Sequence, residues 1–315
     1  MAKVAIVGSG LVGRAWTVSF ARAGHDVVLW DQQPDAAVKA LAYIDGILPD
    51  LEANGLLDGA PAAEVRARAR AVAELDEALD GADHVQENTP EDVEVKRRIF
   101  DELDRKAGAD AVLASSTSAI LPSRFTAELK GRSRCLVVHP INPPYLIPAV
   151  EVVPAPWTDP AIVERTASLL RAAGHAPIVM KREIDGFVMN RLQGALLEEA
   201  FRLFAEGYAS VEDIDVGIRE GLALRWSFIG PFETIDLNAP GGVRDYAQRY
   251  QSIYENIFPS TQWRVDWSGE AMDRIEAERR NALPAEQLQA RQAWRDRRLM
   301  ALAAHKRGAA KAIGS

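Results

Sequence analysis

The feature that most restricts how this chain can fold is "VGSGLVGRAW", with glycines at 8, 10 and 13 between a short apolar run and a segment of helical spacing. Glycine loses more conformational freedom on folding than any other residue, so this cluster needs a backbone reason. The preceding run, "KVAIVG", is apolar, β-branched and ends in glycine, as a buried parallel strand does. The following run, "LVGRAWTVSFARAG", reads as a helix stopped at Gly24. Between strand and helix, Gly-x-Gly-x-x-Gly gives a tight turn, close backbone approach to a pyrophosphate, and close helix–strand packing. The helix N-terminus then offers unbonded N–H groups and a positive dipole end to the phosphates. A second strand, "DVVLWD", closes on Asp31, 18 residues after Gly13. A carboxylate there can bond the adenosine ribose hydroxyls and repel a 2′-phosphate. Gln32 and Gln33 follow, with no arginine to accept that phosphate. The first half is therefore expected to bind NAD through Gly8, Gly10, Gly13 and Asp31. Ordinary turn residues are the competing account.

Strand and helix signals keep alternating through "ADHVQENTP", "EDVEVKRRIFDELDRKAG", "AVLASSTS", "CLVVHP" and "VEVVPA". Such alternation predicts βαβ units and an α/β, Rossmann-type, mostly parallel sheet. "GAPAAEVRARARAVAELDEA" fits a surface helix and a short strand. After "APIVMKRE" the strand signals stop. "DGFVMNRLQGALLEEAFRLFAEG" reads as one long helix, capped by Asp185, stopped by Gly207, with a stripe of Phe187, Asn190, Gly194, Leu197, Phe201 and Phe204. Ser210 and Asp213 open the next helix in capping-box fashion. The expected division is an NAD-binding domain over 1–183 and an all-helical substrate and dimerisation domain over 184–315, with substrate held between them.

Composition narrows the function. A chain of 315 residues with 48% hydrophobic and 26% charged residues is that of a globular protein. Its net charge of −8 argues against nucleic acid or an anionic membrane as partner. The single cysteine, Cys135, rules out a disulfide framework and a Cys-rich metal site, and no metal is expected. "MAKVAIVG" lacks the features of a signal peptide, and no apolar run reaches about 18 residues. The expected location is the cytoplasm. The basic run "RQAWRDRRLMALAAHKR" reads as a solvated helix face.

Five residues stand where catalysis or substrate binding could occur. His139 ends "CLVVHP", at the sheet edge where ligands sit in such folds. Glu151 interrupts "AVEVVPA", its side chain pointing away from those of Val150 and Val152. A carboxylate there either faces water or needs a partner, because an unpaired buried charge is costly. Paired with His139, it would fix the imidazole tautomer and raise its basicity, suiting it to take a hydroxyl proton. Ser118 follows "AVLASST" at the same edge; a helix or turn cap is its simpler reading. Asn190, on an apolar stripe, needs hydrogen-bond partners that either a substrate or the protein could supply. Arg225, in "GLALRWSFIGP" after a helix stop at Gly221, could meet a substrate carboxylate bidentately or form an ion pair with Glu220 or Glu233.

Taken in order, "GSGLVGRAW", "PEDVEVK", "SSTSAILPS", "HPINPPYLIPAVEVV", "DGFVMNRLQ" and "LRWSFIGPFET" resemble the 3-hydroxyacyl-CoA dehydrogenase superfamily, most closely its lambda-crystallin branch, the L-gulonate 3-dehydrogenases. The resemblance runs over nearly the whole chain. It implies an active site of Ser118, His139, Glu151 and Asn190. It also implies cofactor contacts from the Gly8–Gly13 loop, including Leu11 and Val12, and from Asp31, Glu91 and Lys96. Last, it implies a homodimer formed through the helical half. One departure from the acyl-CoA enzymes stands out. No lysine occurs between Lys39 and Lys96, where those enzymes meet the CoA phosphates, and "DLEANGLLDGAPAAE" is acidic. That is poor chemistry for a polyanionic carrier. The expected substrate is a small, free 3-hydroxy acid, L-gulonate first. The alternatives are a 3-hydroxyacyl-CoA, L-carnitine with Trp226, Phe228 and Tyr145 as walls of an aromatic cage, and a non-catalytic, crystallin-like NAD-binding role.

Overall fold

Eight strands form one sheet in the order β3-β2-β1-β4-β5-β6-β7-β8. They are β1 Lys3–Val7, β2 Asp26–Trp30, β3 Ala69–Ala71, β4 His84–Glu87, β5 Val112–Ser115, β6 Cys135–Pro140, β7 Ala149–Pro154 and β8 Ala176–Val179. The computed structural model describes residues 1–264, 266–267 and 269–314. From β3 to β6 every ladder is parallel, and strand order reverses between β1 and β4, the switch point of a doubly wound dinucleotide-binding sheet. Beyond β6 the pattern changes: β7 runs antiparallel, and β8 pairs parallel to β7. Only residues 141–148 join β6 to β7, and a parallel crossover needs a dozen or more. The short, proline-rich connection forces the return.

Alternate residues of each strand feed two apolar layers, as the pleat requires. Val4 and Ile6 pack with Trp16, Phe20 and Leu51; Ala5 and Val7 pack with Phe100, Leu103 and Phe125. Cys135 opens β6 as a buried thiol, and burial pushes it up to about 12. The segment 60–80 folds as helix, strand and helix over Ala62–Ala67, β3 and Leu75–Leu79. No helix among the described residues is long and apolar enough to cross a membrane.

The chain divides into two compact units. The first is Met1–Met189 together with Arg295–Ala309; the second is Asn190–Trp294 with the residues from Ala310 on. The main division thus falls at 189/190, a few residues past 183/184, and Arg295–Ala309 of the C-terminal helix Leu288–Ile313 belongs to the first unit. That helix is not merely a solvated face. Met300 is buried in the cofactor core, Leu299, Ala303 and Ala304 pack beside it, and Arg307 pairs with Asp58 at 2.9 Å. The basic residues lie on the remainder of its surface.

Two local expectations also change. The long helix of the second unit spans Met189–Ala205 rather than opening at Asp185, because Gly186 and Phe187 take φ of +77° and +49°. A left-handed Phe is a genuine exception and cannot continue a helix. The helix stop expected at Gly221 is absent, since the helical backbone runs through it, and Arg225 lies in the short helix Ala223–Trp226 that follows. Ser210 does cap Val211–Val216, its hydroxyl accepting from Asp213 N.

Candidate active site

Three glycines between β1 and the helix Leu11–Arg22 do three different jobs. A Cβ on Gly8, at φ +89°, would approach the Asn88 backbone to 2.9 Å, and one on Gly13 would reach Gly8 O at 2.0 Å. Those two are required by the protein itself, where β1 meets β4 and helix meets strand. A Cβ on Gly10 would have nothing within 4 Å. The space above it is open, and Gly10 is the N-cap of a helix with no side-chain cap and no acid in its first turn. Unfilled donors at Leu11 and Val12, a positive dipole end and an open surface fit a dinucleotide pyrophosphate. Asp31 follows β2, and its carboxylate accepts from Ser9 N at 2.6 Å, Ser9 Oγ at 2.9 Å and Gln33 N at 2.9 Å. It thus braces the glycine loop and keeps acceptor capacity for a ribose diol.

Glu91 and Lys96 have roles that the sequence does not disclose. Glu91 Oε1 accepts from Thr117 Oγ1 at 2.5 Å, Ser118 N at 3.1 Å and Ala119 N at 3.0 Å, so it brackets the turn that presents Ser118. Lys96 is not a surface charge. Only 1% exposed, it donates to Glu87 Oε1 and Oε2 at 3.0 and 3.1 Å and to Thr89 O at 3.2 Å. Glu87 in turn accepts from Ser115 Oγ at 2.6 Å and Thr89 N at 2.5 Å. Lys96 meets its protein partners at the C-terminal end of β4, next to the turn that Glu91 brackets. Its ammonium is enclosed, and it anchors the end of β4 directly and that of β5 through Glu87.

His139 and Glu151 face one another across the antiparallel pair β6–β7. Directly opposite residues point to the same side of a sheet, so register alone brings the two side chains together. Nδ1 lies 2.7 Å from Glu151 Oε2. Glu151 Oε1 accepts two successive backbone N–H groups, Val188 at 2.6 Å and Met189 at 2.9 Å. Burial alone would push the Glu151 carboxyl up, yet the bonds from His139, Met189 and Val188 outweigh it and hold the group below its ordinary value. An ionised carboxylate requires Nδ1 to carry the proton, which leaves Nε2 as the free acceptor of the ring. Phe187, fully buried, packs its ring 5.5 Å from that of His139. Its left-handed backbone is what turns the next two N–H groups onto Glu151.

Ser118 and His139 thus share the C-terminal edge of neighbouring parallel strands. Asn190 and Arg225 belong to the second unit; Arg225 is exposed, and no ion pair joins it to Glu220 or Glu233 among the described residues. Glu220 pairs with Arg219 at 2.7 Å instead. Tyr145 is only 4% exposed, which removes it as a cage wall. Glu87, Phe187 and the two backbone donors were missed by sequence reasoning. Only the odd "DGF" before a helix hinted at any of them.

A pyrophosphate cradle at the switch point and an oriented histidine on the same sheet edge define a nicotinamide-dependent dehydrogenase. Residues 3–184 match the NAD binding domain of 3-hydroxyacyl-CoA dehydrogenase and residues 186–267 its C-terminal domain. The chain belongs to the 3-hydroxyacyl-CoA dehydrogenase family, within its lambda-crystallin branch, and is an NAD-dependent dehydrogenase acting on a CH–OH group. It is 44% identical to the lambda-crystallin homolog of Bos taurus over 303 residues, covering 95% of this chain and 94% of that one. It is 43% identical to an L-carnitine dehydrogenase of Streptomyces griseus over 235 residues, 75% of this chain and 69% of that protein. Among solved structures, an NAD⁺-dependent 5-formyl-3-hydroxy-2-methylpyridine 4-carboxylic acid 5-dehydrogenase superimposes with a TM-score of 0.82 at 30% identity, over 96% of this chain and 97% of that one.

Proposed function

We propose that this enzyme oxidises the 3-hydroxyl of a small, free 3-hydroxy acid, of which L-gulonate is the leading candidate, and works as a homodimer built on its helical unit. The observation that carries the chemistry is the 2.7 Å bond from His139 Nδ1 to a carboxylate already fixed by two backbone N–H groups. His139 Nε2 takes the hydroxyl proton, and Glu151 stabilises the resulting imidazolium. Ser118 and Asn190 hold the reacting oxygen. NAD, when bound, accepts the hydride. Gly10, Leu11 and Val12 hold its pyrophosphate and Asp31 its ribose.

A free acid rather than a CoA ester is supported by the charges around β3. The arginines of this lysine-free region are already engaged: Arg66 with Asp45 at 2.7 Å, Arg68 with Glu64 at 3.1 Å, and Arg70 with Glu77 at 2.7 Å. None is spare for a polyphosphate. Arg225, exposed and without an acidic partner among the described residues, meets the substrate carboxylate. L-Carnitine is the second reading, favoured by the exposed rings of Trp226 and Phe228 in the same stretch as Arg225.

The experiment is NADH formation from L-gulonate, 3-hydroxybutyrate, L-carnitine and 3-hydroxybutyryl-CoA, in the parent and in Arg225→Met. L-Gulonate is expected to give the highest kcat/KM, and Arg225→Met to cost about 2–5 kcal/mol in it while leaving NAD binding unchanged. A parent that prefers the CoA ester overturns the reading.

A further inference from the structure

Apart from the cofactor loop and the His139–Glu151 pair, the first unit contains a cavity of about 360 Å³ where the C-terminal helix meets the sheet domain. Leu56, Leu146 and Leu299 give it an apolar wall; Arg22, Lys306 and Arg307 give it positive charge. Arg22 is the unusual member. It is 7% exposed, yet among the described residues its guanidinium makes one hydrogen bond, Nη1 to Tyr145 O at 2.6 Å. Its Nε is buried with no partner. Asp58, the carboxylate that acts on it, is already bonded to Arg307 Nη1 at 2.9 Å. Burial, and then the charge of Arg307, push the Arg22 guanidinium down to about 10 against the pull of Asp58. A buried cation with one neutral acceptor and a like charge beside it is an unbalanced arrangement. The cavity offers room and unused donors to a second anion.

We propose that this cavity is an anion site, taking a small organic molecule with one carboxylate or phosphate group and an apolar body, and that the occupied site fastens the C-terminal helix to the cofactor unit. Arg22 ends the helix that starts at the glycine loop, while Lys306 and Arg307 come from the C-terminal helix. An oxyanion between them satisfies donors from both elements at once, and guanidinium suits either group through its planar fork. The leucines receive the rest of the molecule. The chemistry does not depend on the hydroxy acid that the enzyme oxidises.

The test is calorimetric titration of the full-length protein, saturated with NAD so that the phosphate cradle at Gly10 is filled, at ionic strength held constant with sodium chloride. Inorganic phosphate and hexanoate are the two probes. At least one is expected to bind saturably with one site per chain. Heat from phosphate alone assigns phosphate esters; heat from hexanoate alone assigns carboxylates. Lys306→Met, at an exposed position that cannot threaten folding, should weaken the binding about tenfold, and Arg22→Met should abolish it. No saturable heat from either probe overturns the proposal. So does binding that Lys306→Met and Arg307→Met leave unchanged.

Discussion

The two compact units of this chain treat their apolar side chains in opposite ways. In the first, Trp16, Phe20, Phe100 and Phe187 are wholly enclosed, and the sheet is covered on both faces. In the second, the helix Gly242–Ile257 buries no residue, although Tyr250, Ile253, Tyr254 and Ile257 recur along it at helical spacing and are all exposed. Phe228 and Phe232 are 73% and 79% exposed. A helix of this length gains most of its stability from packing an apolar stripe, so such a stripe left in water is incomplete. The first unit is built to hold reacting groups still. The second presents an apolar stripe, and we propose that a second copy of the chain covers it.

Substitutions separate these roles, and the largest effect belongs to the first unit. His139→Asn should lower kcat by about 10²–10⁴-fold with little change in NAD affinity, read from NADH formation and cofactor titration. Near-normal turnover would remove His139 as the base. Acid should then distinguish the units by stability. All five histidines lie in the first unit. Burial first, with nearby positive charge adding to it, pushes His84 and His175 down to about 4. Folded, they are neutral where the unfolded chain binds protons. Their contribution is therefore complete above pH 6.5 and is lost as pH falls from there to 4, at about 3 kcal/mol each. Glu151, held below its ordinary value, adds a loss in the same direction at still lower pH. Hydrogen exchange at pH 7, 5 and 4 should show peptides from 1–189 losing protection before those from 190–294. Simultaneous loss would break the contrast.

The remaining two effects are smaller. Ile253→Asp, in the exposed stripe, should shift the particle measured by light scattering from twice 34.4 kDa towards 34.4 kDa, with kcat changed far less than by His139→Asn. An unaltered dimer would place the interface elsewhere. Asp31→Ala should narrow the preference for NAD over NADP by about tenfold, because the carboxylate no longer repels a 2′-phosphate. If both cofactors already served the parent equally, Asp31 would be only a brace for Ser9.

Much of the first unit could be read from the sequence, because local rules and the global fold agree there. The glycine spacing and the alternation of strands point to the same fold, and the register of β6 and β7 decides between the two readings of the carboxylate in "AVEVVPA" by setting Glu151 opposite His139. The ion pair of Lys96 with Glu87 was hidden, since a strand, a loop and a helix start must fold before those two groups meet. Phe187 misled because its residue type suits a helix stripe and its backbone does not; tertiary packing against His139 overrides the preference. At the C-terminus, many arginines masked a compact apolar patch, Leu299, Met300, Ala303 and Ala304, whose spacing was legible and was outweighed by charge.

That patch has a consequence for how the protein is made. Met300 completes a core whose other members precede residue 190, so the ribosome must synthesise all of residues 190–294 before the cofactor unit can close. At ordinary elongation rates this delay is on the order of ten seconds. The nascent sheet waits through it with an open groove, while a long excursion of chain must return its end to the starting body. Closing so long a loop is entropically costly, though the cost grows only slowly with length. A message truncated after codon 294 would deliver the glycine loop, His139 and Glu151 intact, on a body still missing its last wall.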